Sequence, residues 1–149
     1  MNAEHEYEFV DRVTSDLSFV ARGSTLETLF TAAAKALLAA TVEDLESIAP
    51  RMRRKVLLQE PDLELLLLRF LNELVYLRDA EQLLLLPERV LVSVDEAAQL
   101  EADLVGEAID SERHRMDVEV KAATAHGLRI ACTIAEEGRR WEASVTLDV

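Results

Sequence analysis

A chain of 149 residues, half of them apolar and with only four glycines and three prolines, can bury well over half of its unfolded surface. That excludes a disordered tract or a disulfide-held miniature. Its formal charge of −13 repels phosphate backbones and anionic membrane surfaces. Unaided nucleic-acid or membrane binding is therefore disfavoured, and cations or basic protein patches are favoured. The one cysteine, Cys132, can form no internal disulfide, which fits a reducing, cytoplasmic setting.

Met1 to Val10 carries Glu4, Glu6 and Glu8 and lacks a basic stretch followed by an apolar run, so no secretory leader is expected there. Tyr7–Val10 and Leu17–Ala21 read as strands, with the polar residues Asp11 to Asp16 as a loop between them. Ser24-Thr25-Leu26-Glu27 has capping-box spacing, and Leu26, Leu29, Phe30, Ala33, Leu37 and Ala40 follow at helical intervals. The alanines on that face suit close approach to a sheet. Glu43 to Arg54 reads as a turn or short excursion, and Arg53-Arg54-Lys55 within and beside it as a solvated edge without a role. Lys55–Glu60 reads as a strand.

Pro61 at a helix opening, with Asp62 and Glu64 at the positive end of the dipole, predicts a second helix over Asp62–Asp79. Its stripe Leu63, Leu66, Leu67, Phe70, Leu71, Leu74 and Leu77 is a core face. Glu64, Arg69, Asn72 and Glu73 interrupt it, so it falls short of the roughly 20 apolar residues of a membrane span. From Gln82 the period shifts toward two. Leu83–Leu86, Val90–Val94, Leu100–Ala108, Val118–Thr124, Leu128–Ile134 and Trp141–Leu147 read as strands. The expectation is one α+β domain over residues 1–149: a two-layer sandwich in which a mostly antiparallel sheet of about six or seven strands carries two main helices on one face.

No phosphate loop, zinc-spaced Cys/His set, nucleophile elbow or kinase signature occurs, and His5, His114 and His126 lie far apart with no nucleophile to serve. Cys132, flanked by Ile130, Ala131 and Ile134, reads as a buried core thiol. The remaining candidates are Asp11, Asp16 and Asp148, the last beside Val149 and its carboxylate. Converging carboxylates without a basic partner suit a hard cation, although on spacing alone a solvated acid pair is the commoner reading in so acidic a chain.

Several blocks are jointly informative: Tyr7-Glu8-Phe9, Thr14-Ser15-Asp16, Gly23 through Phe30, Phe70 through Leu77, Gly106-Glu107-Ala108-Ile109-Asp110 with His114, Val120 through His126, and Trp141 through Val149. In that order and spacing the chain resembles the archease family along nearly its whole length. The resemblance implies a non-catalytic accessory protein that promotes guanylylation and repeated turnover of an RtcB-type RNA ligase. That enzyme joins RNA ends in tRNA splicing or RNA repair, with GTP and a divalent metal. It also implies a Ca²⁺, Mg²⁺ or Mn²⁺ site on Asp16, Asp148 and the Val149 carboxylate, with Asp11 nearby, and a functional lysine at Lys121 for partner or phosphate contact.

Departures from the family pattern are visible. Val13-Thr14-Ser15-Asp16 replaces H-T-A-D, Ser18 replaces the usual glycine, and Asp11 is displaced by one position. Two other readings stand beside the first. One is a chaperone-like specificity module for an RNA methyltransferase; the other is a stand-alone metal-dependent phosphoester enzyme on the same carboxylates, for which a deep pocket is expected.

Overall fold

The computed structural model describes residues 6–149; the acidic start Met1–His5, with His5 and part of the segment read as lacking a leader, lies outside the described residues. Seven strands and two long helices follow in the order β1 (Tyr7–Val13), β2 (Asp16–Gly23), α1 (Leu26–Thr41), β3 (Met52–Glu60), α2 (Leu63–Glu81), β4 (Leu83–Val94), β5 (Ala98–Ala108), β6 (Ala122–Ala135) and β7 (Gly138–Asp148). The α+β class and the antiparallel pairing agree with the sequence reading. The strands divide into two open sheets, β1-β2-β7-β6 and β3-β5-β4. The first hairpin of the chain thus pairs with the last, a long-range choice that side-chain periodicity does not encode.

Each sheet buries one face. In β2, Leu17, Phe19 and Ala21 point inward while Asp16, Ser18, Val20 and Arg22 alternate outward. Helix α1 packs against both β2 and β4, and α2 against β6, β4 and β3, so the helix pair serves both sheets. This explains the composition of α1: Ala32, Ala33, Ala34 and Ala36 are all fully buried, because only a small side chain lets the helix approach a layer on each side. Phe30 and Phe70 stack at 6.3 Å between ring centres where the helices meet, and burial of each such side chain contributes about 2–3 kcal/mol. Among the described residues no helix is long and apolar enough to cross a membrane.

Several local expectations shift. Asp11, Arg12 and Val13 continue β1 instead of forming a loop, so only Thr14 and Ser15 turn the chain into β2. The two apolar runs around Pro87 join into one strand with an irregularity between Pro87 and Arg89. Proline is tolerated there because β4 is an edge strand that can lack one amide donor. Val118–Lys121 is not strand; β6 begins at Ala122 and runs through the excursion Ala125–Leu128, where Gly127 takes φ +67°. Strand β3 begins at Met52 and not at Lys55, so Arg53 and Arg54 belong to this edge strand instead of the expected turn; Arg53, Arg54 and Lys55 pair respectively with Glu88, with Glu81 at 2.9 Å, and with Glu101 and Asp103 at 3.1 Å each.

Cys132 is exposed, contrary to the core reading. No residue from Ala131 to Arg140 is buried, so the β6–β7 hairpin has no covering layer there and its apolar residues carry no burial information.

The helix caps reveal how the sheet edges are finished. The N-cap of α1 is Thr25, one residue later than the capping-box spacing of Ser24 suggests, and Thr25 and Thr28 satisfy each other's backbone donors. Glu27 is thereby released: its carboxylate accepts from the Val92 amide of edge strand β4 at 3.0 Å. Helix α2 repeats the arrangement. Asp62 caps Leu65 N–H at 2.9 Å, and Glu64 accepts from the Ile130 amide of edge strand β6 at 3.0 Å. An edge amide bonded to a carboxylate is not open to another strand. Glu27→Ala is expected to lower unfolding free energy by about 1–2 kcal/mol, read from guanidinium midpoints; an unchanged midpoint would show that water serves Val92 equally well.

Candidate functional site

The sequence candidates converge at one end of the four-stranded sheet. Asp16, first residue of β2, stands directly opposite Asp148, last residue of β7. On the other side of Asp148 lies Ala122, first residue of β6. The Lys121 amide donates to the Asp148 carbonyl at 2.7 Å, and the Val149 amide donates to the Ser15 carbonyl at 2.9 Å. Three strand ends therefore bring Asp16, Asp148, Val149 and Lys121 together. Asp11 is opposite Ser18, one rung along β2 from Asp16 on the same face and on the side away from Asp148.

Directly opposed side chains on an antiparallel pair stand about 5 Å apart, and like charges there repel. Among the described residues neither the Asp16 nor the Asp148 side chain has a hydrogen-bond or ion-pair partner, and both residues are half-buried. The outward face beside them is held by hydroxyls. Ser18 and Thr146 pair at 3.1 Å, and Thr124 donates to the Thr146 carbonyl at 3.1 Å.

Ser18 therefore does more than replace a glycine: its hydroxyl ties β2 to β7 next to the carboxylate pair. Among the described residues no group of three or more His, Cys, Asp or Glu side chains is disposed to hold a metal ion. The hard donors that stand side by side are the carboxylates of Asp16 and Asp148, a pair that suits a cation retaining several waters.

Lys121 itself is exposed, but its segment is firmly held. The Asn72 side chain of α2 donates to the Ala123 carbonyl at 3.0 Å and accepts from the Ala123 amide at 2.8 Å. The Arg78 guanidinium, buried and also paired with Asp79, donates to the Val120 carbonyl. Sequence reasoning missed both residues. Asn72 interrupts the apolar stripe of α2, and that interruption was the available signal.

A second polar cluster closes the β5–β6 connection. Glu107 is buried and accepts from Arg113, from Arg51 at 3.1 Å, from Ala49 N–H at 2.7 Å and from His114 Nε2 at 2.9 Å. The Asp110 amide donates to His114 Nδ1 at 2.9 Å. That imidazole is therefore a neutral ring with its proton on Nε2. The Arg113 hydrogen bond, with help from Ala49 N–H and His114 and against the effect of burial, pulls the Glu107 carboxyl down to about 2. From this cluster the chain crosses the end of α1, with Asp117 and Val118 amides on the Thr41 and Ala40 carbonyls at 2.8 and 3.0 Å, and arrives at Val120 and Lys121.

These features define a class: a small α+β protein with two open antiparallel sheets on a shared helix pair, its unpartnered carboxylates gathered at a strand end and not in a cleft. The sequence profile of the Archease protein family (MTH1598/TM1083) matches residues 7–149, and the chain belongs to that family. It is 42% identical over 118 residues to protein archease of Thermococcus gammatolerans, spanning 78% of this chain and 82% of that protein. It is 32% identical over 146 residues to protein archease of Methanosarcina mazei, spanning 97% and 96% respectively. The solution structure of protein 1598 from Methanobacterium thermoautotrophicum superposes with a TM-score of 0.81 at 32% identity, over 98% of this chain and all of that one. An archease from Thermotoga maritima, described as a possible chaperone, shares the fold, with a TM-score of 0.62 at 15% identity over 95% of this chain and 99% of that one.

Proposed function

We propose that this protein is a non-catalytic accessory factor of a GTP-dependent RtcB-type RNA ligase, promoting its guanylylation and multiple turnover in the cytoplasm through a divalent-cation site on Asp16, Asp148 and Val149 with Lys121 beside it. The observation that carries the reading is the opposition of Asp16 and Asp148 without a cationic partner. In a chain of net charge −13 that opposition is a standing cost unless something positive occupies it. When bound, Ca²⁺, Mg²⁺ or Mn²⁺ supplies the offsetting charge and open positions for oxygen ligands.

The chain's own residues do the rest. Asp16 and Asp148 hold the cation at a projecting sheet end that a partner can reach, and Lys121 adds a mobile ammonium suited to phosphate or carboxylate oxygens. The acidic surface favours encounter with a basic, RNA-handling enzyme while discouraging competition for its RNA.

Two features weigh against an autonomous phosphoester enzyme. The larger clefts are bordered elsewhere, one by Leu57, Leu91 and Gln99 and another by Arg51, Glu107 and Arg113, and no side chain hydrogen-bonds Asp16 or Asp148 as an orienting partner would among the described residues. The second reading is a chaperone-like specificity module for an RNA methyltransferase; the Thermotoga relative, described as a possible chaperone, bears on its chaperone-like part alone.

The test is multiple-turnover RNA joining by an RtcB-type ligase with GTP and Mn²⁺, with and without this protein. Stimulation by wild type is expected to fall by at least about tenfold in Asp16→Ala, Asp148→Ala and Lys121→Ala. In chelator, Asp16→Asn should melt above wild type, by roughly 1–3 °C, because the repulsion is gone. Absence of stimulation by folded wild type would overturn the ligase reading and turn attention to methyltransferase specificity. Turnover of a phosphoester by the pure protein would overturn both.

A further inference from the structure

We infer that Asn72 of α2 is a positioning residue for Lys121, acting as a one-residue substitute for a missing neighbouring strand. The inference rests on the functional reading above for the role of Lys121, but not for its geometry. β6 is the outer strand of its sheet. Along such a strand alternate residues turn their amide and carbonyl outward, where water or a foreign strand would take them. Just ahead of β6, and outside its alternation, the Lys121 amide donates to the Asp148 carbonyl at 2.7 Å. The outward pair belongs to Ala123, and both of its groups are taken by one carboxamide, at 3.0 and 2.8 Å.

Asparagine is suited to this because its side chain presents a donor and an acceptor side by side, the same pairing that an opposite residue offers in an antiparallel ladder. Aspartate of the same shape has no donor, and leucine offers neither group. One turn and a half further along α2, Arg78 secures the Val120 carbonyl. Lys121 is thus bracketed: Val120 and Ala123 are fixed to α2, and its own amide to the strand that carries Asp148.

These four bonds leave the Lys121 side chain, which is exposed, as the moving part on an immobile base. A lysine has four rotatable side-chain bonds, so the volume its ammonium samples is set by how well its Cα is held. Fixing the base is what converts a surface lysine into a directed one. The inference adds a residue to the site that lies on neither sheet and bonds none of the carboxylates.

The experiment compares wild type, Asn72→Asp, Asn72→Ala, Lys121→Ala and Asn72→Ala/Lys121→Ala with a control, Val56→Ala, which trims a core residue of the other sheet and lowers the melting temperature without touching the segment. Amide hydrogen exchange of Lys121 is read first. It is expected to accelerate by at least about tenfold in Asn72→Asp and Asn72→Ala and to stay within about twofold of wild type in Val56→Ala. Ligase stimulation is read second. Asn72→Ala is expected to lose about as much as Lys121→Ala, while the double variant loses no more than Lys121→Ala alone, since Asn72 acts through the lysine.

Unchanged Lys121 exchange in the Asn72 variants would overturn the inference whatever the ligase does, as would losses that multiply in the double variant. Accelerated exchange with no ligase stimulation by wild type would uphold the positioning role and remove the functional reading instead. Accelerated exchange together with a non-multiplying loss would uphold both.

Discussion

Gly106→Ala is expected to be the most damaging single methyl that can be added to this protein. A Cβ on Gly106 would fall 1.8 Å from the Leu84 carbonyl oxygen and 2.9 Å from its carbonyl carbon. Both are backbone atoms of β4, so no rotamer change can make room. Gly106 sits in the central strand of its sheet, paired with Met52 on one side and Leu85 on the other. Relief therefore means separating β4 from β5 or sliding their register.

Glycine within a strand would ordinarily gain about 0.5–1 kcal/mol on change to alanine, from reduced unfolded-state freedom. Here the overlap outweighs that gain, and a net loss of about 3 kcal/mol or more is expected. For a chain of this size it corresponds to roughly 10 °C in melting temperature. Calorimetry on the variant checks it; a melting temperature equal to or above wild type would mean that the β4–β5 pairing is looser than it stands here. The disruption reaches the functional segment as well, because Glu107 follows directly and anchors the connection leading to Lys121.

Glu107→Gln is expected to cost about 2–3 kcal/mol at neutral pH and to remove a specific part of the acid sensitivity. The amide can still accept from Ala49 N–H and His114 Nε2–H, but it no longer balances Arg113 and Arg51. Losing the anion of a buried, hydrogen-bonded cluster leaves its donors undercompensated. The carboxyl is lowered from an ordinary value of 4.5 to about 2 in the folded chain. A depressed carboxyl stabilises the folded state fully above its unfolded value, and the stabilisation is lost as pH falls toward the folded value.

The gap in unfolding free energy between wild type and Glu107→Gln should therefore be constant above about pH 5 and shrink between about 4.5 and 2. The difference, and not the wild-type curve, is the proper readout. Protonation of many surface acids relieves the net charge of −13 over the same range and acts in the opposite direction. A gap that persists undiminished near pH 2 would show that the carboxylate charge is not what holds the cluster together.

Both predictions concern one strand, β5, and the link is mechanical. Its C-terminal end carries Gly106, which sets the spacing to β4, and Glu107, which gathers Ala49, Arg51, Arg113 and His114. The Gln82 carbonyl, at the αL residue that ends α2, takes the Ile109 amide at 2.8 Å. The connection to β6 is thereby tied at its start to α2 and along its course to the end of α1. It reaches Lys121 with little freedom despite having no strand or long helix of its own. Order in such a segment comes from the partners of its backbone groups, not from its own propensity.

How much of this was legible beforehand depended on whether the cause was local. Local patterns determined the two helices, the inward faces of the strands and the antiparallel α+β class. A period of 3.6 or 2 is imposed by each element's own geometry and needs no knowledge of its neighbours. The acids Asp62 and Glu64 at the opening of α2 and the core stripe of that helix belong with these. The residues by themselves offered Asp11, Asp16 and Asp148 beside Val149 without separating them from solvated acids; the resemblance to a family made a metal set of them and added Lys121.

Only the tertiary structure decided that the strands divide into sheets of four and three, because pairing β2 with β7 is a contest among many similarly patterned strands settled by packing on the helices. It placed Cys132 outside the core, since an apolar stretch on an uncovered hairpin has the same pattern as a buried one. It decided that Glu27 and Glu64 close sheet edges, that Asn72 and Arg78 hold the base of Lys121, and that Asp16 faces Asp148 across one rung. Each of these is a bond between a side chain or strand end and backbone far away in sequence. Such bonds exist only once the layers are in place, and no residue spacing announces them.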